Sequence, residues 1–306
     1  MKKDFIRIPD LTRDEIDGIF NTAFELKRGS PSETGQAPLK GKTLIMIFHK
    51  PSLRTRVSFE VGMARLGGRA VHLRDEEIGV DSREKLEDVG KVLSRYGDGI
   101  MIRTFRNEWV ERLASASSIP VVNGLTDIHH PCQVLADIFT LKEKNLDPDK
   151  MIVAYLGDGN NVCNSWIDAT QRFGFELRVA HPQGYSPDPD VLAEAGKKGK
   201  GKVLLTQDPR EAAKGADVIY TDVWASMGKE SEREARARQF KPYQVNRTAV
   251  SLAKKNCLVM HCLPAHRGDE ITDDVIDGPN SIVFDEAENR MHLQNGLLAT
   301  LLGRKK

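Results

Sequence analysis

The sequence has no excess of charge, no long apolar run and few cysteines, and each absence excludes a class of protein. Its 45 lysines and arginines nearly match its 44 acidic residues, so there is no overall basic surface of the kind that binds nucleic acid. No run approaches the roughly 18 apolar residues of a membrane span, and no apolar segment follows the two initial lysines as in a secretory signal. The four cysteines form no CxxC pair, which favours reduced thiols and a cytoplasmic location.

What is present is an alternation of apolar strand-like segments with helix-like segments. The strand-like segments are Thr43–Phe48, Ile100–Arg103, Val121–Val122, Ile152–Leu156, Leu177–Ala180, Asp217–Val223 and Cys257–Leu263. The helical patterns are Ser52–Leu66, Glu108–Ala116, Pro131–Leu141, Val162–Phe173 and Met291–Leu302. This alternation predicts an α/β fold of two domains, each a parallel β-sheet flanked by helices.

The best polar break between the two halves is Asn145–Lys150. A chain of 306 residues is long enough for two domains of about 100–200 residues each. We therefore predict domains at residues 1–145 and 146–290, with a C-terminal helix within 291–306 that packs back on the first domain.

The segment Pro51–Arg56 follows a predicted strand and begins a helix, which is where open α/β sheets bind ligands. Ser52 is a natural N-cap, and the free N–H groups and dipole of a helix start favour an anion. Arg54 is better placed for phosphate oxygens than Arg56, which points the opposite way on a helix. Arg103 lies at the carboxyl end of another predicted strand, where its side chain points into the same crevice beyond the strand ends. The alternatives are a capped helix with solvated arginines, and a surface ion pair at Arg103.

The next polar segment surrounds His130 and Gln133, and Pro131 suits the first position of the following helix. Both side chains can donate hydrogen bonds to a carbonyl oxygen. Two alternatives stay open, a simple helix start and a zinc site that includes His129 and Cys132. Zinc is disfavoured because adjacent histidines have poor ligand spacing.

The segment Gly157–Val162 also joins a strand to a helix and has part of a dinucleotide-binding pattern. Val162 replaces the third glycine of GxGxxG, and the next strand ends at Ala180 without an acidic ribose ligand. This disfavours NAD. The paired asparagines at the helix start, Asn160 and Asn161, can instead hold the carboxylate and ammonium of a zwitterion.

Two more polar segments, Asp222–Gly228 and His261–His266, follow apolar strands. Asp222 offers a carboxylate to an ammonium group, and Cys262 is a semi-polar residue at a strand end. Cys262 could equally be a small buried hydrophobe. His261, Cys262 and His266 could ligate a metal, but a fourth ligand is not evident, and we expect neither a metal nor a cofactor.

In this order, the segments resemble the ornithine carbamoyltransferase family, within the aspartate/ornithine carbamoyltransferase superfamily. The family motifs SxRTR, HPxQ, DxxxSMG and HCLP match Ser52–Arg56, His130–Gln133, Asp222–Gly228 and His261–Pro264. The likeness extends to Ala287–Arg290 and covers essentially the whole chain. The first two motifs mark carbamoyltransferases generally, whereas the last two indicate ornithine. One departure from the family is His49. Family members often have a glutamate at this position, directly before the lysine that matches Lys50. The departure puts in doubt some of the ion pairs that the family uses in domain closure.

The resemblance implies a function and a role for each matching residue. It implies transfer of a carbamoyl group from carbamoyl phosphate to L-ornithine by direct amine attack, in arginine biosynthesis, by a homotrimer. The implied carbamoyl phosphate-binding residues, in residues 1–145 for the most part, are Ser52, Leu53, Arg54, Thr55, Arg103, His130, Gln133, Cys262, Leu263 and Arg290. The implied ornithine-binding residues are Asn161, Asp222, Ser226 and Met227, and the implied catalytic residues are Arg103, His130, Gln133, Asp222 and Cys262.

Four alternatives remain at this point. The nearest is a carbamoyltransferase that acts on putrescine, N-acetylornithine or aspartate. The others are a nicotinamide-dependent enzyme, a non-catalytic binding protein and a nucleic-acid-binding protein.

Overall fold

The chain forms two compact units, each with its own parallel β-sheet. A computed structural model describes residues 4–29, 37–80, 83–225 and 232–303. One unit comprises Met1–Phe139 and Glu288–Lys306, and the other comprises Thr140–Ala287. The two parallel sheets flanked by helices confirm the predicted fold class.

The described part of the first unit contains a four-stranded parallel sheet in the order β2-β1-β3-β4. Its strands are β1 (Thr43–Phe48), β2 (Arg69–Arg74), β3 (Gly99–Arg103) and β4 (Val121–Leu125). Its helices are α1 (Arg13–Arg28), α2 (Leu53–Arg65), α3 (Asp75–Ile78), α4 (Leu86–Tyr96), α5 (Asn107–Ala116) and α6 (Pro131–Glu143), after a 3-10 turn at Ile8–Asp10. Ile100 and Ile102 of β3 pack with Leu86 of α4 and Leu113 of α5 in one core.

The described part of the second unit contains a five-stranded parallel sheet in the order β7-β6-β5-β8-β9. Its strands are β5 (Ile152–Leu156), β6 (Glu176–Ala180), β7 (Lys202–Thr206), β8 (Val218–Thr221) and β9 (Leu258–His261). Its helices are α7 (Asn161–Ala169), α8 (Pro189–Lys198), α9 (Pro209–Ala213), α10 (Arg233–Phe240), α11 (Arg247–Leu252) and α12 (Asp273–Ile276), with a 3-10 turn at Lys241–Tyr243. The last helix, α13 (Val283–Leu302), begins in this unit, and its residues from Glu288 onward belong to the first unit.

Alternate residues of the second sheet enter two different cores. Ala154 and Ile219 pack with the small alanines of α9 on one face. On the other face, Tyr155 and Tyr220 stack with ring centroids 5.6 Å apart, and Trp166 meets Tyr220 edge-on at 5.5 Å. Strands buried on both faces explain the near-continuous apolar runs of the sequence.

Each sheet has one point where the strand order reverses. In the first sheet the chain runs from β1 outward to β2 and then returns to β3 on the other side of β1. In the second sheet it runs from β5 through β6 to β7 and then returns to β8. Ligands of such sheets bind beyond the carboxyl ends of the strands at these reversals. The residues to inspect therefore follow β1 and β3 in one unit, and β5 and β8 in the other.

Several elements differ from the sequence-based expectation, among them helices for which no pattern was predicted, namely α1, α3, α4 and α8 to α12. The strands β2 and β7 were not predicted, and both lie at sheet edges with many half-buried or exposed positions. The last helix begins at Val283 rather than at the predicted Met291. Its first turns were missed because they bury the polar residues Glu286, Asn289 and Arg290, which interrupt the apolar pattern of the sequence. No described helix, α13 included, combines the length and apolarity needed to cross a membrane.

Candidate active site

The start of α2 is built to receive an anion. Ser52 caps the helix, and its Oγ accepts a hydrogen bond from the Thr55 N–H at 3.2 Å. The first turn contains no acidic side chain, so nothing within the turn offsets the positive end of the helix dipole. The Leu53 side chain is 75% exposed. Leu53 therefore offers an anion its backbone N–H, at the first position of the helix.

Two buried arginines from distant parts of the chain meet at Thr55. The Thr55 hydroxyl is fully buried and accepts hydrogen bonds from Arg103 Nη1 at 3.3 Å and from Arg290 Nη2. Arg103 is the last residue of β3, and Arg290 lies on α13. The fold thus brings the predicted residues of α2, β3 and the late arginine together in the first unit.

His130 lies among the same positive charges. Burial lowers the pKa of its imidazole well below the usual value, and the charges of Arg290, Arg103 and Arg54 lower it further. The imidazole is therefore neutral at physiological pH. Three guanidinium groups around a neutral ring give a strongly positive local potential, in a chain whose net charge is only +1.

The orientation of Gln133 is determined by two buried partners. Its Oε1 accepts a hydrogen bond from Arg290 Nη1 at 3.1 Å, and its Nε2 donates to Asp137 Oδ1 at 2.8 Å. Asp137 lies one helical turn further along α6 and is fully buried. The amide therefore presents its oxygen to Arg290 and its nitrogen to Asp137.

Cys132, which follows His130 and Pro131, belongs to the core rather than to the site. Its Sγ donates to the Asn123 carbonyl oxygen at 3.4 Å, and burial raises the pKa of the thiol to about 12. A metal needs the thiolate, so this cysteine is poorly suited to ligation. His129, His130 and Cys132 do not form a metal-binding cluster.

The departure from the family pattern, His49, packs inside the first unit. The His49 ring meets the Trp109 ring edge-on, with ring centroids 5.0 Å apart. The backbone N–H of His49 donates to the Arg103 carbonyl oxygen at 2.9 Å. The neighbouring Lys50 forms an ion pair with Asp127. His49 thus takes an aromatic packing position directly beside the strand that ends in Arg103.

In the second unit, Asp222 is the centre of a polar cluster after β8. Its Oδ2 accepts from Asn160 Nδ2 at 2.7 Å, and its Oδ1 accepts from the Cys262 thiol at 2.9 Å and from the Val223 N–H at 2.7 Å. These bonds join the loops that follow β5, β8 and β9. The carboxylate and thiol that the sequence predicted as a pair are therefore in direct contact.

The two asparagines after β5 have different positions. Asn160 is the N-cap of α7, where its Oδ1 accepts from the N–H groups of Val162 and Cys163 at 2.9 and 3.1 Å. Asn161 is the first residue of the helix and is half-buried. Ser226 and Met227, the other predicted ornithine-binding residues, lie outside the described residues.

His261 determines the turn at Leu263. Its Nδ1 accepts a hydrogen bond from the Leu263 N–H at 2.9 Å, so the ring proton must lie on Nε2, which donates to Glu270 Oε1 at 3.1 Å. Leu263 has a φ of +54°, a left-handed conformation that costs a non-glycine residue about 1–2 kcal/mol. The bond from Leu263 helps to hold this turn next to Cys262.

One cluster among the described residues has the composition of a metal site, namely Asp222, His261 and Cys262, whose ligand atoms lie within 4.8 Å of one another. Both imidazole nitrogens of His261 already have hydrogen-bond partners, and Asp222 accepts the thiol proton of Cys262. An ion would have to break these bonds, so the residues fit a metal poorly. His266 is not part of the cluster.

Several residues of the site were not predicted from the sequence. Asp137 could have been found, because it lies four residues after Gln133 on one helix face. Glu270 and Arg236 lie in polar segments and are buried only through tertiary contacts, so no local pattern marks them. Glu286 also has no local pattern that marks it. Its Oε2 accepts a hydrogen bond from the backbone N–H of His261 at 3.0 Å.

Comparison with known proteins gives matches along the whole chain. Residues 3–143 match the family model of the aspartate/ornithine carbamoyltransferase carbamoyl-P binding domain, and residues 149–301 match that of the Asp/Orn binding domain. The ornithine carbamoyltransferase of Syntrophus aciditrophicus (strain SB) is 51% identical over 302 residues, which are 99% of this chain and 100% of that protein. That of Pyrococcus horikoshii is 50% identical over 307 residues, covering 99% and 97% of the two chains.

Solved structures give the same result. The ornithine carbamoyltransferase from Pyrococcus furiosus is similar with a TM-score of 0.92 and 48% identity, covering 99% of this chain and 98% of that one. The enzyme from Thermus thermophilus is similar with a TM-score of 0.87 and 43% identity, covering 99% of both chains.

Proposed function

The chain belongs to the aspartate/ornithine carbamoyltransferase family, and from that premise we propose that it converts carbamoyl phosphate and L-ornithine to L-citrulline and phosphate in arginine biosynthesis. The observation that carries the proposal is the group of arginines around Thr55 and His130, at a helix start without acidic residues. This is a phosphate site with hydrogen-bond donors beside it for a second polar group.

In this proposal the first unit binds carbamoyl phosphate. The phosphate occupies the start of α2, where Ser52, Thr55 and the Leu53 N–H donate to its oxygens and Arg54 neutralises its charge. Arg290, which already contacts Thr55 and Gln133, reaches the same molecule. The resemblance to the family assigns Cys262 and Leu263 to the same substrate.

Three residues polarise the carbamoyl group. Negative charge grows on the carbonyl oxygen in the tetrahedral transition state, and Arg103, His130 and Gln133 donate hydrogen bonds to it. The low pKa of His130 supports this role, because a neutral imidazole keeps an N–H donor without requiring protonation.

The second unit binds ornithine. The δ-amine must be neutral to attack, although a free alkylamine has a pKa of about 10, so the site selects or produces the deprotonated form. Asp222 and Cys262 orient the amine, whereas Asn161, Ser226 and Met227 bind the amino-acid end. The contact between Asp222 and Cys262 supports this division of roles.

The transfer is direct, with no covalent enzyme intermediate. The amine nitrogen bonds to the carbonyl carbon, the bond from that carbon to the phosphate oxygen breaks, and the departing phosphate accepts the amine proton. Much of the acceleration comes from holding the two substrates in line.

We further propose that residues 1–145 form the carbamoyl phosphate-binding domain and residues 146–290 the ornithine-binding domain, with the C-terminal helix returning to the first. The compact units and the two matched family ranges support this division. We propose a cytoplasmic homotrimer. An apolar stripe on α2 supports self-association, since Leu53, Val57 and Val61 recur every four residues and are 75%, 46% and 37% exposed.

The second candidate function is a carbamoyltransferase for another amine, because the family model that matches residues 149–301 describes a domain that binds aspartate or ornithine. The decisive assay measures the ureido product by colorimetry (citrulline when the amine is ornithine), with carbamoyl phosphate fixed and ornithine, putrescine, lysine or N-acetylornithine as the amine. A parallel phosphate-release assay includes aspartate. Turnover with ornithine alone supports the proposal. Turnover only with another amine would retain the phosphate site and refute the ornithine assignment.

A further inference from the structure

Arg236 is a buried cation on a mostly exposed helix, whose other buried residue among those described is the apolar Phe240. Its neighbours in α10 from Arg233 to Ala235, together with Arg238 and Gln239, are exposed, whereas Arg236 is only 4% exposed. Removing a guanidinium from water is unfavourable unless hydrogen-bond partners compensate for the lost hydration. A buried arginine at this position therefore needs specific partners.

The partners are two loops that begin at the carboxyl ends of neighbouring strands. Arg236 Nη1 donates to Asp158 Oδ2 at 2.7 Å and to the Trp224 carbonyl oxygen at 2.8 Å, and its Nε donates to Glu232 Oε2 at 2.8 Å. The Tyr185 ring lies 4.7 Å from the guanidinium carbon. Burial disfavours the charged form, but the hydrogen bond to Glu232 and the charge of Asp158 outweigh it and raise the pKa of Arg236.

The residues that Arg236 joins are near neighbours, along the chain, of the contacting pair Asn160 and Asp222. Asp158 precedes Asn160 by two residues in the loop after β5, and Trp224 follows Asp222 by two residues after β8. The two loops are thus joined twice, once by Asn160 and Asp222 at 2.7 Å and once through Arg236. Asn161, the next residue along, shares the same loop.

We propose that Arg236 is a positioning residue for the amino-acid substrate, which joins the loops after β5 and β8 so that Asn161 and Asp222 keep their binding geometry. The inference rests on the proposed function, since it concerns the ornithine side of that reaction. Arg236 does not touch the substrate in this proposal. The role needs a planar guanidinium, because a lysine ammonium on a single stem is a point charge and cannot reproduce the fork of donors.

The test compares Arg236→Gln and Arg236→Lys with Arg238→Gln, a matched control that is exposed on the same helix. Steady-state KM values are measured for ornithine and for carbamoyl phosphate, together with thermal unfolding. We expect Arg236→Gln to raise the KM for ornithine about ten-fold or more, through misplaced binding groups. The KM for carbamoyl phosphate stays unchanged, Arg236→Lys gives a smaller rise, and Arg238→Gln stays within about two-fold of the unmodified protein.

A second variant keeps the test decisive if Arg236→Gln fails to fold. Asp158→Asn removes the carboxylate partner and should also raise the KM for ornithine. In the double variant with Arg236→Lys, the rise in the KM for ornithine should be smaller than the product of the two single rises. The reason is that both residues act through the one contact between Arg236 and Asp158. A stable Asp158→Asn variant with an unchanged KM, or equal rises in both KM values, would overturn the inference alone. Absence of ornithine turnover by the unmodified protein would overturn the proposed function and this inference with it.

Discussion

The charge state of His130 depends on side chains that are far away in the sequence. Burial and three arginines lower its pKa well below 6.5, so the unfolded chain takes up a proton near pH 6.5 that the folded chain does not. Stability linked to this residue is therefore present above pH 6.5 and is lost as the pH falls from 6.5 towards the folded-state pKa. Acid should weaken the fold through this residue.

This linkage can be measured by urea unfolding between pH 5 and 7.5. Across the window below 6.5, the unmodified protein should lose up to about 1.4 kcal/mol more per pH unit than His130→Gln, which has no proton to bind at this position. Equal slopes for the two proteins would show that folding does not lower the pKa of His130.

The Thr55 hydroxyl is the acceptor that Arg103 and Arg290 share, so a small change at this residue tests the proposed phosphate site. Thr55→Val keeps the volume but removes the acceptor for Arg103 and Arg290. We expect a loss of about 1–3 kcal/mol of stability, as when a buried hydrogen bond loses one partner, and a higher KM for carbamoyl phosphate. Ser58→Ala on the same helix is the control, since the Ser58 hydroxyl donates to the Thr55 backbone carbonyl oxygen at 3.2 Å and does not involve the Thr55 side chain. Equal kinetics for the two variants would contradict the role of Thr55.

At the scale of elements, the position of Arg290 depends on how closely α13 approaches α1. A Cβ atom on Gly296 would lie 2.7 Å from the Ile19 carbonyl oxygen and 2.8 Å from the Ala23 Cβ. Gly296→Ala should therefore displace α13, cost about 1–3 kcal/mol by overpacking, and weaken carbamoyl phosphate binding through Arg290. Unfolding in denaturant and the KM for carbamoyl phosphate measure the two effects.

The control is Gly18→Ala on α1, where an added Cβ meets nothing within 4 Å. Replacing a helical glycine by alanine in open space should stabilise the protein by about 0.5–1 kcal/mol without changing the KM. A neutral Gly296→Ala variant would mean that α13 can shift without moving Arg290.

The elements also show how far sequence reasoning reaches. The N-cap at Ser52 and the helix start at Pro131 were predicted from local chemistry, and both are confirmed. The edge strands β2 and β7 were missed, because their exposed faces interrupt the apolar runs that mark central strands. The site residues that follow central strands were accessible to the same reasoning, whereas Arg236 and Glu270 depend on tertiary burial that no local pattern encodes.

At the scale of the whole molecule, composition does not reveal the candidate site. The net charge is +1, yet Arg54, Arg103 and Arg290 all act on one imidazole. These residues come from α2, β3 and α13, so only the folded first unit assembles them. Arg54 and Arg103 were indicated by their positions at a helix start and a strand end, whereas Arg290 was indicated only by the family resemblance, because no local pattern marks it.

The apolar stripe on α2 leads to a prediction about assembly. Val57 is 46% exposed at the middle of the stripe, and a charge there would have to be buried if copies of the chain associate through this face. We expect the unmodified protein to sediment as a trimer and Val57→Asp to sediment mainly as a single chain of 34.1 kDa. Val92→Asp on α4, at a residue with a similar exposure of 43%, is the control and should remain trimeric. Dissociation of Val92→Asp instead would move the interface from α2 to α4, and a trimeric Val57→Asp would exclude the α2 stripe as the contact.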